Sequence, residues 1–419
     1  MTSNFQNRAW LPAWLEVTTG IVAMLLAVQI LTGVLLAFYY VPSVDHAYTS
    51  VSFIEKVVSS GSWLRSLHHY GSQWLTLFLF LHVVRLFLTS AYTERNAHWI
   101  ASVVLLALVM AAGGTGYSLP WDARAFFSTR VAEGLVGGLP LIGGNARLWL
   151  LGGSQISTLT LSRFFALHVL VIPALIAGVI VWRRFRFINL QRNAIAAGMI
   201  FVALAVWSWK FHAPLGPSTT EMTADYLPRP GAQFLWLYES LKYLPGGVGS
   251  IAGLVLPGIA LTVLILLRWL RQGRLIGGVI LAAGATLIAG MTTASYLSDR
   301  GNPRLHEQAA QEAALRAVPF TPAVLNFSKP NTMADTTAPG TYIKYCGNCH
   351  GRNGEGAQQG PLRFPPLIGV GAKPHRTVDD IVGLLKTPEA YGLQPPMRSF
   401  SEKITEPQMK EIAEWVVKL

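Results

Sequence analysis

Cysteine is almost absent from this chain. Only two of its 419 residues are cysteines, and both lie in one short stretch, at Cys346 and Cys349. A single pair of neighbouring thiols cannot form a network of cross-links, so a disulfide-stabilised scaffold is excluded. The pair also cannot complete a four-cysteine zinc site. The fold must therefore be stabilised in some other way.

Charged residues are also scarce, at 13% of the chain, whereas hydrophobic residues make up 52%. This composition is typical of a protein that crosses a membrane several times. The net charge of +12 could suggest a nucleic-acid partner. However, the arginines stand in clusters beside apolar runs, as the positive-inside rule expects of cytoplasmic loops, so we predict a membrane partner and no nucleic acid. The clusters are Arg183, Arg184, Arg186 and Arg192, and Arg268, Arg271 and Arg274.

Long apolar runs are what the chain has in abundance. A helix of about 20 residues is enough to cross the hydrocarbon core of a bilayer. Runs close to that length occupy 18–40, 69–91, 99–119, 161–182, 193–211, 249–270 and 275–297. The pattern predicts a mainly α fold, a polytopic transmembrane bundle of about seven helices followed by a small all-α domain. Because no cleavage signal precedes the first run, we expect that run to be retained.

The charge pattern also predicts an orientation. If the N-terminus is cytoplasmic, the arginine-rich stretches after the second, fourth and sixth helices all become cytoplasmic. An odd number of crossings then places the C-terminal domain in the periplasm. We therefore expect a multi-pass protein of the bacterial inner membrane.

Three histidines within or directly beside the apolar runs are candidate ligands. His68 and His82 are fourteen residues apart, so one helix would place them about 21 Å apart on nearly the same face. The fourth run contributes His168 at the depth of His68 or His69. Ionisable residues inside a membrane are costly and usually functional, so a haem held by two histidines is indicated. The alternative is that histidines at helix ends simply lie at the lipid interface.

The C-terminal stretch contains Cys346-Gly-Asn-Cys349-His350. This spacing is the attachment motif of a c-type haem, in which both thiols bond to the haem and the histidine ligates its iron. A redox-active cysteine pair and half of a zinc site are the alternatives.

The surrounding residues resemble a class I cytochrome c domain. The resemblance rests on Tyr345, on the glycine-rich run after the motif, on Pro365-Pro-Leu367, on Gln394-Pro-Pro-Met397 and on a final amphipathic helix. It implies Met397 as the distal sulfur ligand, a soft donor that raises the haem potential. The alternative for Met397 is a place in the domain core.

The membrane part resembles cytochrome b of the quinol–cytochrome c or plastocyanin oxidoreductases. The motifs are Gln29-Ile-Leu-Thr-Gly33, Arg65-Ser-Leu-His68, Gly116-Tyr-Ser-Leu-Pro-Trp-Asp122 and the run from Ser157 to His168. The resemblance implies a haem b on the outer side with His68 and His168 as its ligands, and Arg65 near a haem propionate. It also implies that small residues, namely Gly33, Gly113 and Gly116, approach that haem.

The same resemblance implies an outer quinol pocket beside the Gly116–Asp122 turn, where a Rieske iron–sulfur protein docks in the family. It predicts four segments. Residues 1–192 resemble the four-helix haem-binding domain of cytochrome b, and 193–299 its three-helix C-terminal domain. Residues 300–335 are a predicted linker, and 336–419 the periplasmic cytochrome c domain.

The chain departs from the family at a second haem, nearer the cytoplasm. The family pairs the position of His82 with a histidine on the fourth helix, where this chain has Trp182 or Arg183. Larger residues also replace the small ones on that side, at Thr19, Ser102 and Leu106. We expect the inner haem to be absent, with Trp182 pointing into its place. The alternative is a haem held by His82 alone or together with His98.

A second departure concerns the proton acceptor for quinol. Family members carry a glutamate where this chain has Gly231, which cannot accept a proton. Glu221, Asp225 or Glu239 could replace it. Without that glutamate and an inner haem, a Q-cycle across the membrane is not expected.

Two functions follow as hypotheses. The first is a redox subunit that passes electrons between membrane quinone and a periplasmic electron carrier through one haem b and one haem c, in either direction. The second is a degenerate cytochrome b that anchors a larger complex, with only the c haem active. A complete quinol–cytochrome c oxidoreductase subunit with unusual ligands is a third.

Overall fold

A computed structural model describes most of the chain. The chain divides into two compact units, Met1–Ala323 and Val324–Leu419. The described residues are 17–183, 190–219, 226–244, 247–320, 338–351, 353–359, 362–364, 366–372, 376–391 and 399–419. Several residues named above lie outside these ranges: Arg184, Arg186, Glu221, Asp225, Pro365, Gln394 and Met397.

Among the described residues of the first unit, fifteen α-helices follow one another in chain order. They are α1 (Thr18–Ala37), α2 (Ala47–Lys56), α3 (Gly61–Leu88), α4 (Ala91–Glu94), α5 (Asn96–Tyr117), α6 (Ala123–Gly137), α7 (Gly143–Leu151), α8 (Thr158–Ala166), α9 (Ile172–Arg183), α10 (Leu190–Lys210), α11 (Leu235–Leu241), α12 (Gly247–Ser250), α13 (Leu256–Leu266), α14 (Gly273–Arg300) and α15 (Pro303–Ala317). A π-helical turn at Leu167–Val171 joins α8 to α9, and another at Ile251–Val255 joins α12 to α13.

Seven stretches of helix in the described residues are long and apolar enough to cross a membrane. They are α1, α3, α5, the continuous α8–α9, α10, the continuous α12–α13, and α14. Large apolar side chains such as Leu31, Leu170 and Val181 are more than 60% exposed on these helices, as expected of surfaces that face lipid. The predicted seven-helix membrane fold is confirmed.

Helix α3 lies at the centre of the bundle and packs against α1, α5 and α10. Leu25, Leu79 and Leu204, from α1, α3 and α10, are fully buried in the shared core. A second core lies between α3–α5 and the last two spans. There Trp99 is fully buried and its indole N–H donates to the Leu264 carbonyl at 2.6 Å, so its one polar group is satisfied.

Helices α2, α6, α7 and α11 lie in the loops that the charge pattern predicts to be outer, and α15 follows the last span. Helix α15 falls within the segment predicted as a linker, and the structure packs it against the outer loops. Lys56 donates to the carbonyls of Leu315 and Val318, and Arg316 donates to the Ala213 carbonyl. This stretch is therefore an integral part of the first unit.

The second unit contains α16 (Gly340–Tyr345), α17 (Gly347–His350), α18 (Val378–Lys386) and α19 (Glu406–Lys418). Tyr342 is fully buried, with its ring centroid 4.4 Å from that of Trp415 in α19. Capping boxes at Thr377 and Thr405 satisfy the first amide groups of α18 and α19. A short antiparallel hairpin of β1 (Ala357–Gln359) and β2 (Leu362–Phe364) adds to the predicted helical fold.

Candidate functional site

The outer half of the bundle brings His68 of α3 opposite His168 in the π-helical turn. Their ring centroids are 6.0 Å apart, and the ring planes are at 79°. Two imidazoles that bind one metal from opposite sides have centroids about 6 Å apart, because each metal–nitrogen bond is about 2 Å. The distance between the rings therefore fits a shared iron.

Hydrogen bonds determine which nitrogen of His68 is free. The Thr32 hydroxyl donates to the Val28 carbonyl at 2.6 Å, so its oxygen is left to accept from Nδ1 of His68, 2.8 Å away. Nδ1 thus carries the proton, and Nε2 keeps its lone pair for a metal.

The same argument applies to His168. Its Nδ1 lies 2.9 Å from the Ala112 carbonyl, which can only accept, so Nδ1 donates and Nε2 is again unprotonated. Both histidines therefore offer the nitrogen that a bis-histidine haem requires.

Two glycines lie where a side chain would meet these rings. A Cβ on Gly116 would come within 2.4 Å of His168 Cε1, and one on Gly33 within 3.1 Å of His68 Cε1. A Cβ on Gly113 would instead meet Gln233 and Phe234. Gly33 and Gly116 therefore leave room at the ligand rings, whereas Gly113 allows the 3₁₀ turn Ala232–Phe234 to approach α5.

The two histidines line a cavity between α1, α3, α5 and α9 that also contains Arg65. Arg65 is buried and donates to Glu55 Oε2 at 2.9 Å and to the carbonyls of Ala213 and Pro214. A guanidinium has five N–H donors, so Arg65 retains capacity for an anionic group such as a propionate. The residues present therefore fit a haem b.

Two polar atoms of the cavity wall have no hydrogen-bond partner among the described residues. They are Nε2 of Gln29, a donor, and Oε1 of Gln233, an acceptor, and both are buried. A buried polar atom without a partner costs roughly 1–3 kcal/mol, so a complementary ligand would stabilise both.

The outer rim of the cavity contains an ionisable group that the sequence did not indicate. Asp122 is 3% exposed and lines the cavity, and its oxygens accept from the backbone N–H groups of Ala125 and Gly216. Burial raises the pKa of this carboxyl above its ordinary value, although the two backbone donors oppose the change. Beside it, Arg124 lines the cavity and pairs with Glu312 of α15.

The inner end of α3 is different. His82 is 2% exposed, and its Nδ1 lies 2.9 Å from the Thr18 hydroxyl, which also accepts from Arg85. Arg85 reaches Thr19 as well, at 3.3 Å. At the outer site Gly33 leaves space beside the ligand ring, whereas at the inner site hydrogen-bonded side chains fill the corresponding space. The residues of the inner site therefore do not fit a haem in the position that the family uses.

The expectation that Trp182 points into the inner pocket is wrong. Its side chain is 60% exposed, and the ring facing His82 is that of His98, with centroids 5.7 Å apart. The π-helical turn Leu167–Val171 explains the error, because it adds a residue to one turn and rotates the rest of the helix away from the face that regular α spacing predicts.

Gly231 lies next to two residues of the cavity wall, since an added Cβ would stand 3.2 Å from Gln233 Oε1 and 3.4 Å from the Tyr117 ring. Of its predicted replacements, Glu239 is described. It is 3% exposed, it pairs with Lys242, and it is not part of the cavity wall. Glu221 and Asp225 lie outside the described residues.

The C-terminal motif forms one helical turn. Cys349 and His350 both donate from the backbone to the Cys346 carbonyl, at 3.1 and 2.9 Å. Both cysteines are free, and burial raises the pKa of the Cys346 thiol to about 11. A redox-active pair usually has a lowered thiol pKa, so this environment favours the haem-attachment alternative.

Two parts of the chain match known protein families. Residues 9–191 match the family Cytochrome b/b6/petB, and residues 340–419 match Cytochrome c. The cytochrome b subunit of menaquinol:cytochrome c reductase from Geobacillus thermodenitrificans is 36% identical over 179 residues, which are 42% of this chain and 79% of the relative.

Cytochrome b6 from Prochlorococcus marinus (strain NATL1A) is 36% identical over 178 residues, 42% of this chain and 80% of that protein. A chain of a solved hyperthermophilic respiratory Complex III shares the fold, with a TM-score of 0.54 at 20% identity over 73% of this chain and 89% of that one. This chain therefore belongs to the cytochrome b family, and a cytochrome c domain follows its membrane bundle.

Proposed function

We propose that this protein is a membrane electron-transfer subunit that passes electrons between quinone and a periplasmic redox partner. Its centres would be one haem b between His68 and His168 and one haem c at Cys346, Cys349 and His350. The observation that carries the proposal is the His68–His168 pair, whose rings lie 6.0 Å apart at the wall of a cavity and whose Nδ1 atoms both have acceptors in the protein. When bound, each haem supplies a one-electron centre.

The protein's own residues position both groups. Thr32 and the Ala112 carbonyl orient the two imidazoles, while Arg65 offers donors at the outer end of the cavity. Gln29 and Gln233 offer a donor and an acceptor to a quinone ring. Met397, which lies outside the described residues, is the proposed second ligand of the haem c iron.

The polar network around His82 supports a single haem b, because Thr18, Thr19 and Arg85 fill the inner position. A Q-cycle across the membrane would then not operate. The proximity of His82 and His98 favours the alternative of an inner haem held by those two residues. The haem content of the purified protein decides between the two.

We also propose the orientation, the location and the partners. The protein would lie in the bacterial inner membrane with a cytoplasmic N-terminus and a periplasmic C-terminal domain. A Rieske iron–sulfur protein or other redox subunits, and a periplasmic carrier, would be its partners. The segments 1–192, 193–299, 300–335 and 336–419 remain our proposed division, except that α15 packs with the first unit.

Spectroscopy of the purified chain tests the function. A b band that a short-chain quinol reduces, and that an outer-pocket inhibitor protects from reduction, would support a redox subunit. A c band alone after dithionite reduction would support the anchor hypothesis instead. Two b haems per chain would contradict the single-haem proposal.

Replacing Thr32 by valine is expected to raise the midpoint potential of the haem b. Loss of the hydrogen bond to Nδ1 makes His68 less basic, which destabilises ferric iron, and such changes weaken ligand binding by roughly 10- to 100-fold. Potentiometry and haem titration measure both effects. Thr262→Val is the control, because Thr262 bonds only to the Gly258 carbonyl of its own helix. Equal potentials in the two variants would contradict the prediction.

Replacing both Cys346 and Cys349 by serine is expected to remove the covalent haem. Haem staining of a denaturing gel should become negative, while the b band of the native protein persists. Lys344→Ser is the control, since Lys344 is an exposed residue in the preceding helix. Persistent staining would mean that haem is attached elsewhere.

A further inference from the structure

Asp122 is the one carboxylate that lines the outer cavity in the part of the chain that the structure describes. Its position is determined by the backbone: Asp122 caps α6, and the loop after α10 is held against it by the Gly216 N–H at 2.7 Å and by the bond from Ala123 N–H to the Pro217 carbonyl. Each oxygen accepts one hydrogen bond, which leaves a second lone pair on each for a proton.

Gly216 separates Asp122 from a buried tyrosine. A Cβ on Gly216 would stand 3.3 Å from Asp122 Oδ2 and 3.0 Å from the Tyr226 hydroxyl. The two polar groups therefore face each other across a position that has no side chain. Both groups lie within 3.3 Å of that position, so one water molecule is enough to bridge them.

The second group is Tyr226, which contacts α15. Its hydroxyl donates to Glu312 Oε1 at 2.9 Å. Glu312 belongs to α15, and 10% of its side chain is exposed. Three groups that exchange protons thus follow one another from the cavity wall to α15.

Arginine side chains lie beside all three groups, Asp122, Tyr226 and Glu312. Arg124 of α6 forms an ion pair with Glu312. The positive charges of Arg124 and of Arg65 in α3 oppose the rise in the pKa of Asp122 that burial causes. Arg124 also faces Tyr226, and Tyr117 of α5 lies beside Arg124. The two arginines therefore favour the ionised form of Asp122, which must be ionised before it can accept a proton.

We propose that Asp122, Tyr226 and Glu312 form the route by which protons leave a quinol in the outer cavity, with Asp122 as the first acceptor in place of the glutamate missing at Gly231. The inference rests on the proposed function. Oxidation of one quinol to quinone breaks two O–H bonds and releases two protons and two electrons. The electrons pass one at a time to a bound haem b, and the first moves on to the next redox carrier before the second is accepted. Each proton passes to Asp122, then through the Tyr226 hydroxyl to Glu312, and then to water on the outer side.

The test is the rate at which a short-chain quinol reduces the haem b of the purified full-length protein, measured by stopped flow across a pH series. Asp122→Asn is expected to slow reduction by roughly 10²-fold, the usual size of a general-base effect. The wild-type rate should rise with pH as Asp122 ionises, and this rise should be absent in the variant. Asp122→Glu, which restores a carboxylate, should recover much of the rate.

Two further variants interrupt the proposed proton route at Gly216 and at Tyr226. Gly216→Ala places a methyl group between Asp122 and Tyr226 without removing a titratable group, and Tyr226→Phe removes the hydroxyl. Both are expected to slow haem reduction about 10-fold or more, with unchanged haem content and potential. Gly134→Ala, whose Cβ meets nothing within 4 Å, and Asp45→Asn, at an exposed carboxylate, are the controls.

Each outcome has one meaning. If quinol fails to reduce the wild-type haem b at any pH, the proposed function fails and the route with it. If the wild type is reduced and the Asp122, Gly216 and Tyr226 variants match it in rate and pH profile, the route alone is overturned. A loss caused instead by Glu239→Gln would assign the acceptor to Glu239.

Discussion

Replacing His68 by alanine is expected to remove the haem b almost completely and to leave the haem c in place. The imidazole of His68 supplies one of two axial bonds, and a non-covalent haem has no other strong attachment in this cavity. The covalent haem is unaffected because its cysteines lie in the other unit. The pyridine haemochrome assay counts both haem types, so the b signal should fall to near zero against a constant c signal.

The matched control is His82→Ala. It removes a buried histidine from the same helix, one that lies against Thr18 at the other end of α3. With a single outer haem b, this variant keeps its full b content. Loss of half of the b signal would instead reveal a second haem at His82 and His98. Retention of the signal in His68→Ala would contradict the proposed ligand pair.

Replacing Gly116 by alanine is expected to damage the same site without touching a ligand. The new Cβ would lie 2.4 Å from His168 Cε1, closer than non-bonded carbon atoms approach, so either the ring or α5 must move. A displaced imidazole cannot align its Nε2 with that of His68. We expect most of the b haem to be lost, and a changed midpoint potential in what remains.

Gly114→Ala is the control for this prediction. It makes the same chemical change two residues earlier in α5, where the nearest atom to the new Cβ is 3.9 Å away. Haem content and reduced spectrum should match the wild type. Equal losses in both variants would show that α5 tolerates no alanine in this region, and would remove the steric argument about His168.

The membrane bundle and the haem-attachment motif were predictable because they depend on local pattern. Seven apolar runs define seven spans, since a bilayer demands about 20 apolar residues for each helix. The motif at Cys346–His350 is contiguous, so its chemistry can be inferred from the sequence without knowledge of the fold. The choice of His68 rather than His69 came from a resemblance, and the structure brings the ring of His68 to 6.0 Å from that of His168.

The inner site shows where sequence reasoning fails. The predicted direction of the Trp182 side chain assumed regular α-helical spacing, and one π-helical turn rotates that side chain to a different face of the helix. His98 approaches His82 from a different helix, which spacing along α3 cannot predict. Such contacts depend on how the helices are rotated about their axes.

The sequence by itself determined that this is a membrane cytochrome with a covalent haem motif and one plausible pair of intramembrane ligands. These features follow from hydrophobic runs and from residues that are close in the chain. Only the tertiary structure decided the rest: the free Nε2 atoms, the filled inner position, and the line from Asp122 through Tyr226 to Glu312. That line joins three segments separated by up to 190 positions in sequence, because helix packing and the docking of α15 bring together groups that no local pattern connects.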